Sequence, residues 1–72
     1  MLGLRIKQLR SDFGWTQQQF TDELNRRYGV EIVQSHVANM ETGGKLPSLT
    51  VLMAIVKTLD TSADYLLGLT DN

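Results

Sequence analysis

Apolar residues recur at helical spacing along most of this 72-residue chain, and four such stretches are followed by a glycine. The glycines are Gly14, Gly29, Gly43 and Gly68. A spacing of three or four residues places apolar side chains on one face of a helix, and glycine is the residue that most often follows a helix C-terminus. The pattern predicts short amphipathic helices, and no segment shows the alternation typical of a strand.

The first three helices are predicted from these stripes and from their caps. Helix 1 runs from Leu4 to Phe13. Helix 2 begins after Thr16, whose hydroxyl can accept a backbone hydrogen bond while Gln19 reaches back to complete a capping box, and it ends at Tyr28. Helix 3 covers residues 34–42, with one apolar face and one small polar face.

Two further helices complete the predicted fold, which is all-α. Ser48 is the predicted cap of helix 4, the most apolar of the five. Its stripe comprises Leu49, Leu52, Val56 and Leu59, reinforced by Met53 and Ile55. Thr61, with Asp64 three residues later, is the predicted cap of helix 5, which runs from Ala63 to Leu67. A chain of this length holds one domain, predicted to cover residues 1–72 with its core in 2–68.

Composition excludes several kinds of site. The chain has no cysteine, so neither a disulfide nor a thiolate metal site can form. His36 is the single histidine, which leaves no metal cluster and no histidine-based triad, and we expect no metal and no cofactor. The longest apolar run, Val51 to Val56, is far shorter than the roughly 20 residues that span a bilayer. We therefore expect a cytoplasmic protein without a membrane segment.

Charge is distributed unevenly along the chain. The formal net charge is -1, whereas proteins that bind nucleic acid usually carry a basic excess. Six of the seven basic residues nevertheless lie between Arg5 and Lys45. We expect Arg5, Lys7, Arg10 and Lys45 to be the basic residues placed to reach phosphate.

Short motifs follow one another in a specific order over most of the chain. They are Leu2-Gly3, Arg5-Ile6-x-x-Leu9-Arg10, Trp15-Thr16-Gln17, Phe20, Leu24, Gln34-Ser35-x-Val37, Glu41-x-Gly43 and Pro47-Ser48-Leu49. Together they resemble the Cro and phage-repressor type (xenobiotic-response-element) helix-turn-helix family. The resemblance implies a compact five-helix, lambda-repressor-like DNA-binding domain with the helix-turn-helix at helices 2 and 3. It also implies a transcriptional repressor that binds an inverted-repeat operator in double-stranded DNA as a homodimer.

The resemblance assigns roles to particular side chains. Four on helix 3 would read bases: Gln34, Ser35, Ala38 and Asn39. Asn and Gln can pair bidentately with adenine, and Ala38 could touch a thymine methyl group. Four others would contact the DNA backbone: Gln17, His36, Thr42 and Lys45. Arg10 and Glu41 would form a structural pair linking helix 1 to the end of helix 3.

Each of these roles has a plainer alternative. The polar residues of helix 3 and Gln17 could be solvated, and Arg10 and Glu41 could be unrelated surface charges. His36 could pack at the edge of the core or respond to pH.

The sequence also departs from the family pattern. Several more residues separate Leu24 from Val37 than in the shortest members, which predicts a longer helix 2 whose extra turn points away from DNA. Arg26 and Arg27 on that turn would offset the helix dipole. Val33 stands at the cap position where the family usually has serine or threonine.

Other functions compete with an operator-binding repressor. An antitoxin or a restriction-system controller would have a similar sequence, so a cognate toxin or an effector is possible. A protein-interaction module that has lost DNA binding would fit the acidic pI of 5.6. We do not expect an enzyme, because the chain shows no carboxylate pair, no nucleophile with a base and no glycine-rich phosphate loop.

Overall fold

The computed structural model describes residues 1–71, and this part of the chain contains five α-helices and no β-strand. The helices are α1 (Leu2–Asp12), α2 (Gln17–Tyr28), α3 (Gln34–Thr42), α4 (Leu49–Thr58) and α5 (Ala63–Leu66). The predicted all-α, five-helix fold is therefore confirmed. The predicted domain also included Asn72, which lies outside the described residues.

Local hydrogen bonds fix the ends of α2. Thr16 Oγ1 accepts from the Gln19 amide at 3.0 Å, and Gln19 Oε1 accepts from the Thr16 amide at 2.9 Å. This is the predicted capping box, in which two backbone donors without helical partners are satisfied. At the other end Gly29 takes a left-handed conformation with φ of 59°, which costs glycine little because it has no Cβ.

Helices α1 and α5 differ from the prediction at their ends. Helix α5 ends at Leu66 rather than Leu67, which is its C-terminal cap. Helix α1 starts at Leu2 rather than Leu4, because the Arg5 amide already donates to Met1 O at 3.0 Å, and Phe13 is its C-terminal cap. Helix α5 is capped by Ser62 rather than Thr61: Ser62 Oγ accepts from the Tyr65 amide at 3.0 Å.

The core lies where α1, α2, α3, α4 and α5 meet, with α3 packed on α1 and α2 and with α4 packed on α2 and α5. The buried apolar residues are Ile6, Phe20, Leu24, Val37, Met40, Ala54, Ile55, Leu59 and Leu66. Phe13 is not among them, although it continues the helix 1 stripe. It is exposed, and its ring stacks on Trp15 with a centroid separation of 4.8 Å.

Helix α4 buries only part of its predicted stripe, of which Leu52 and Val56 pack against the core. Leu49 is 73% exposed and Met53 is 49% exposed, whereas Ile55 and Leu59 are buried. At about 100° per residue, Leu49 and Met53 lie about 120° and 160° around the helix from Ile55. Because α4 is apolar on several sides, the sequence pattern alone could not select the face that packs on α2 and α5.

Thr58 is a buried polar residue on α4. Its residue surface is 2% exposed, and its Oγ1 has no hydrogen-bond partner within the described structure. A buried hydroxyl that makes no hydrogen bond loses its hydration without compensation.

Replacing this hydroxyl should stabilise the protein. We predict that Thr58→Val raises the free energy of unfolding by about 1 kcal/mol, because it removes an unpaired polar group without changing the side-chain volume much. Thermal unfolding followed by circular dichroism should show a melting temperature higher by about 4–8 °C. The exposed Thr50→Val, on the same helix, is the matched control and should change the melting temperature little. A lower melting temperature for Thr58→Val would contradict this account.

Candidate nucleic-acid interface

One face of α3 is polar and open to solvent. Its side chains are Gln34, Ser35 and Asn39, which are exposed, and Ala38, which is partly exposed. The opposite face carries Val37 and Met40, both buried in the core. The four residues predicted to read bases therefore lie off the buried face, on the surface of the helix.

A buried ion pair holds α3 against α1. Arg10 Nε lies 2.6 Å from Glu41 Oε2, Arg10 Nη2 donates to Glu41 Oε1 at 3.0 Å, and the two side chains are only 10% and 2% exposed. Arg10 Nη1 also donates to the carbonyl of Trp15 at 2.6 Å. This two-pronged geometry fixes orientation as well as distance. The guanidinium is thus occupied within the protein, and the expectation that Arg10 reaches phosphate is wrong.

Gln17 connects the start of α2 to both ends of α3. Its Nε2 donates to Glu41 Oε1 at 3.0 Å, and its Oε1 accepts from Gln34 Nε2 at 2.6 Å. One continuous series of side-chain hydrogen bonds, here called the polar chain, therefore links Arg10, Glu41, Gln17 and Gln34. Because Gln34 belongs to it, the first residue of α3 is oriented before any ligand is present.

The start of α3 is capped without a side-chain oxygen at the cap position. Helix α3 begins at Gln34 as predicted, after Val33. The Val33 amide donates to His36 Nδ1 at 3.2 Å, so that His36 supplies one acceptor at this end. His36 is partly buried and lines a surface groove with Met40 and Pro47.

Several exposed groups surround the end of α3. Gly43 ends the helix with φ of 83°, and Lys45 follows in the exposed connection to α4. Lys7, Gln17, Glu41 and Thr42 line an open cleft next to Gly43, formed by α1, the start of α2 and the end of α3.

Comparison with known proteins decides the family. The helix-turn-helix family model matches residues 6–66, which is most of the chain. This chain belongs to the helix-turn-helix family. The resemblance noted in the sequence is thereby confirmed, with α2 and α3 as the two helices of the helix-turn-helix.

A curated relative supports the same family. The chain is 32% identical, over 68 residues, to the uncharacterised HTH-type transcriptional regulator YobD of Bacillus subtilis (strain 168). The match covers 94% of this chain and 55% of that relative, so the chain spans about half of the relative's length. No solved structure matches the chain significantly. Within residues 1–71, no helix is long and apolar enough to cross a membrane.

Gly3 is a part of the helix-turn-helix scaffold to which sequence reasoning gave no structural role. It is buried within α1, and a Cβ at this position would clash with the backbone carbonyl oxygens of Met40 and Glu41. The lack of a side chain lets the backbones of α1 and α3 approach each other closely. Because helix 1 was predicted to begin at Leu4, Gly3 lay outside it, and its unfavourable place inside a helix became visible only with the observed start at Leu2.

Arg5 also differs from its expected role. Its Nη1 donates to the carbonyls of Tyr65 at 2.5 Å and Thr70 at 2.8 Å, and its guanidinium lies 4.2 Å from the centre of the Tyr65 ring. These contacts of Arg5 hold α1 against α5 and the C-terminal segment. Arg5 is therefore not a free phosphate ligand.

Arg26 and Arg27 lie in the last turn of α2, as predicted, and both bind Glu23. The hydrogen bond from Arg26 is the main reason why the pKa of the Glu23 carboxyl lies below its usual value. Both guanidiniums thus have a carboxylate partner at the end of α2, opposite the Gln17 end.

Loss of the buried ion pair should lower the free energy of unfolding far more than loss of an exposed one. We predict that Arg10→Ala lowers the free energy of unfolding by about 3–5 kcal/mol, because it leaves the Glu41 carboxylate buried without its cation. Urea unfolding measures this loss. Arg26→Ala, which breaks an exposed pair with Glu23, is the control and should have a much smaller effect. Equal losses in the two variants would show that Arg10 and Glu41 do not form a buried pair in solution.

Proposed function

We propose that this chain is a transcriptional regulator that binds double-stranded DNA in a sequence-specific manner, with α3 in the major groove. The observation that carries this proposal is the polar chain: it fixes α3 at both ends while the exposed face of α3 stays available. A helix held in this way can present side chains to base edges in a defined register. The family and the relative described as a transcriptional regulator support the same function.

We assign base reading to the exposed face of α3. Asn39 and Gln34 have the amide groups that pair with adenine N6 and N7, and Ala38 can contact a thymine methyl group. Ser35 can donate to or accept from a base edge. Gln34 gives one amide hydrogen to Gln17, which restricts its rotation before DNA is bound.

Contacts with the phosphate backbone are assigned to the residues around this face. They are Gln17 at the start of α2, His36 on α3, and Thr42 and Lys45 at its end. Arg5 and Arg10 are occupied within the protein. The basic residues left for phosphate are Lys7, which lines the cleft, and Lys45, which lies in the exposed connection after α3. Few phosphates would be neutralised by each protomer, so binding should depend only weakly on salt for a DNA-binding protein.

We further propose that two copies bind together to an inverted repeat and repress transcription by occupying a promoter. Helices α4 and α5, with the segment 60–65 between and within them, would supply a self-complementary contact. Half-site centres would then lie about one helical turn of DNA, roughly 34 Å, apart. A cytoplasmic location follows from this function.

Selection of bound duplexes from a random pool tests the proposal. We predict that the wild type enriches inverted repeats. Asn39→Ala should then weaken binding to the selected operator by about 1–3 kcal/mol and relax the preference at one base position, because a base contact is lost. It should change stability by no more than about 0.5 kcal/mol, since Asn39 is exposed. Gel-shift titrations and thermal unfolding measure the two effects.

The matched control removes a proposed phosphate contact instead. Lys45→Ala should weaken binding to all duplexes alike and reduce the slope of log K against log salt by about one. The assignment fails if Asn39→Ala weakens all sequences equally, or if Lys45→Ala changes sequence preference. Recovery of single, non-repeated sites would contradict the dimer, and no shift of any duplex at low salt would contradict DNA binding itself.

A further inference from the structure

The side chain of Asn25, on α2, is bonded to the connection that leads into α3. Asn25 Nδ2 donates to the carbonyl of Ile32 at 2.7 Å, and Asn25 Oδ1 accepts from the amide of the same residue at 3.0 Å. One carboxamide thus satisfies both backbone groups of Ile32, as a neighbouring strand would. Asn25 and Ile32 are both partly buried, which makes unpaired backbone groups there costly.

The connection combines packed side chains with strained backbone: Val30 and Ile32 pack against the core, and the backbone around them takes unusual conformations. Residues 29–33 include two left-handed residues, Gly29 with φ of 59° and Glu31 with φ of 56°. A left-handed glutamate is strained, and this conformation persists only where the surrounding structure fixes it. Val33, at the cap of α3, has no side-chain acceptor for the free amides of that helix.

The two ends of α3 are held in different ways. Glu41 and the close approach of Gly3 fix its C-terminal end to α1. Its N-terminal end depends on the Gln17–Gln34 hydrogen bond and on the path of the connection, which Asn25 sets at Ile32, two residues before Gln34. Loss of the Asn25 bonds should therefore move Gln34 and Ser35 more than Asn39.

We propose that Asn25 is a positioning residue for sequence recognition: by clamping Ile32 it sets the N-terminal end of α3, and so determines which base Gln34 reads. This inference rests on the proposed DNA-binding function. Asparagine suits the role because its amide nitrogen donates to the Ile32 carbonyl while its amide oxygen accepts from the Ile32 amide. Aspartate has the same size and keeps an acceptor for the Ile32 amide but has no donor for the Ile32 carbonyl.

The test compares operator preference in four variants at a temperature where all are folded. Gln34→Ala and Asn39→Ala first identify the operator positions that each residue reads. We expect Asn25→Asp to relax the preference at the Gln34 position by about fivefold or more, a sizeable share of what one base contact supplies, and to leave the Asn39 position unchanged. Val56→Ala, a truncation on α4 away from this connection, is the control and should lower the melting temperature without relaxing either position.

The outcomes separate this inference from the function on which it rests. Unchanged preference at the Gln34 position in Asn25→Asp overturns the positioning role alone, even if the protein is less stable. Equal relaxation at both positions, or relaxation in Val56→Ala as well, also overturns it, because the effect would then follow stability. A wild type that selects no sequence at all would overturn the proposed function and this inference with it.

Discussion

The structure depends on one buried ion pair, between Arg10 on α1 and Glu41 near the end of α3. Two charges removed from water lose much hydration, so such a pair adds less to stability than its short distances suggest. What it provides is geometry, because a two-pronged guanidinium–carboxylate contact permits few relative orientations. Gly3 allows the same two helices to approach until their backbones are in contact. Together these features determine where the C-terminal end of α3 lies.

Hydrogen bonds extend from the Arg10–Glu41 pair to the start of α3, the helix that is proposed to contact DNA. Glu41 accepts from Gln17 as well as from Arg10, and Gln17 in turn accepts from Gln34. The Glu41 carboxylate therefore links α1, α2 and α3. Because the core face of α3 is short and apolar, packing alone would leave rotation of the helix less well defined than these directional bonds do. The orientation of the exposed face is a property of the whole helix-turn-helix and not of α3 by itself.

Sequence reasoning predicted those features that depend on near neighbours. The capping box of Thr16 and Gln19, and the left-handed glycine after α2, are local and were predicted at the correct residues. The cap of α5 was predicted at the wrong residue. Thr61 and Ser62 are adjacent and both carry a hydroxyl, and only Ser62 accepts the capping hydrogen bond. Contacts between distant residues were the least predictable: Arg5 binds the carbonyl of Tyr65, 60 positions away, and its pattern within α1 gave no sign of this.

The proposed base-reading residues were selected only through family resemblance, and their role stays a prediction. Nothing in the polarity of Gln34 or Asn39 separates a base-reading face from a solvated one, and the bonds of Asn25 appear only once the path of the connection is known.

We propose that the face of α3 fixed by the polar chain is the surface that meets DNA. Mapping of backbone amide chemical shifts during titration with a selected duplex tests this most directly. We expect the largest changes at the start of α2, along residues 34–39 and in the connection at 42–45, with small changes in the buried halves of α4 and α5. Changes concentrated on α4 and α5, with α3 unaffected, would contradict it.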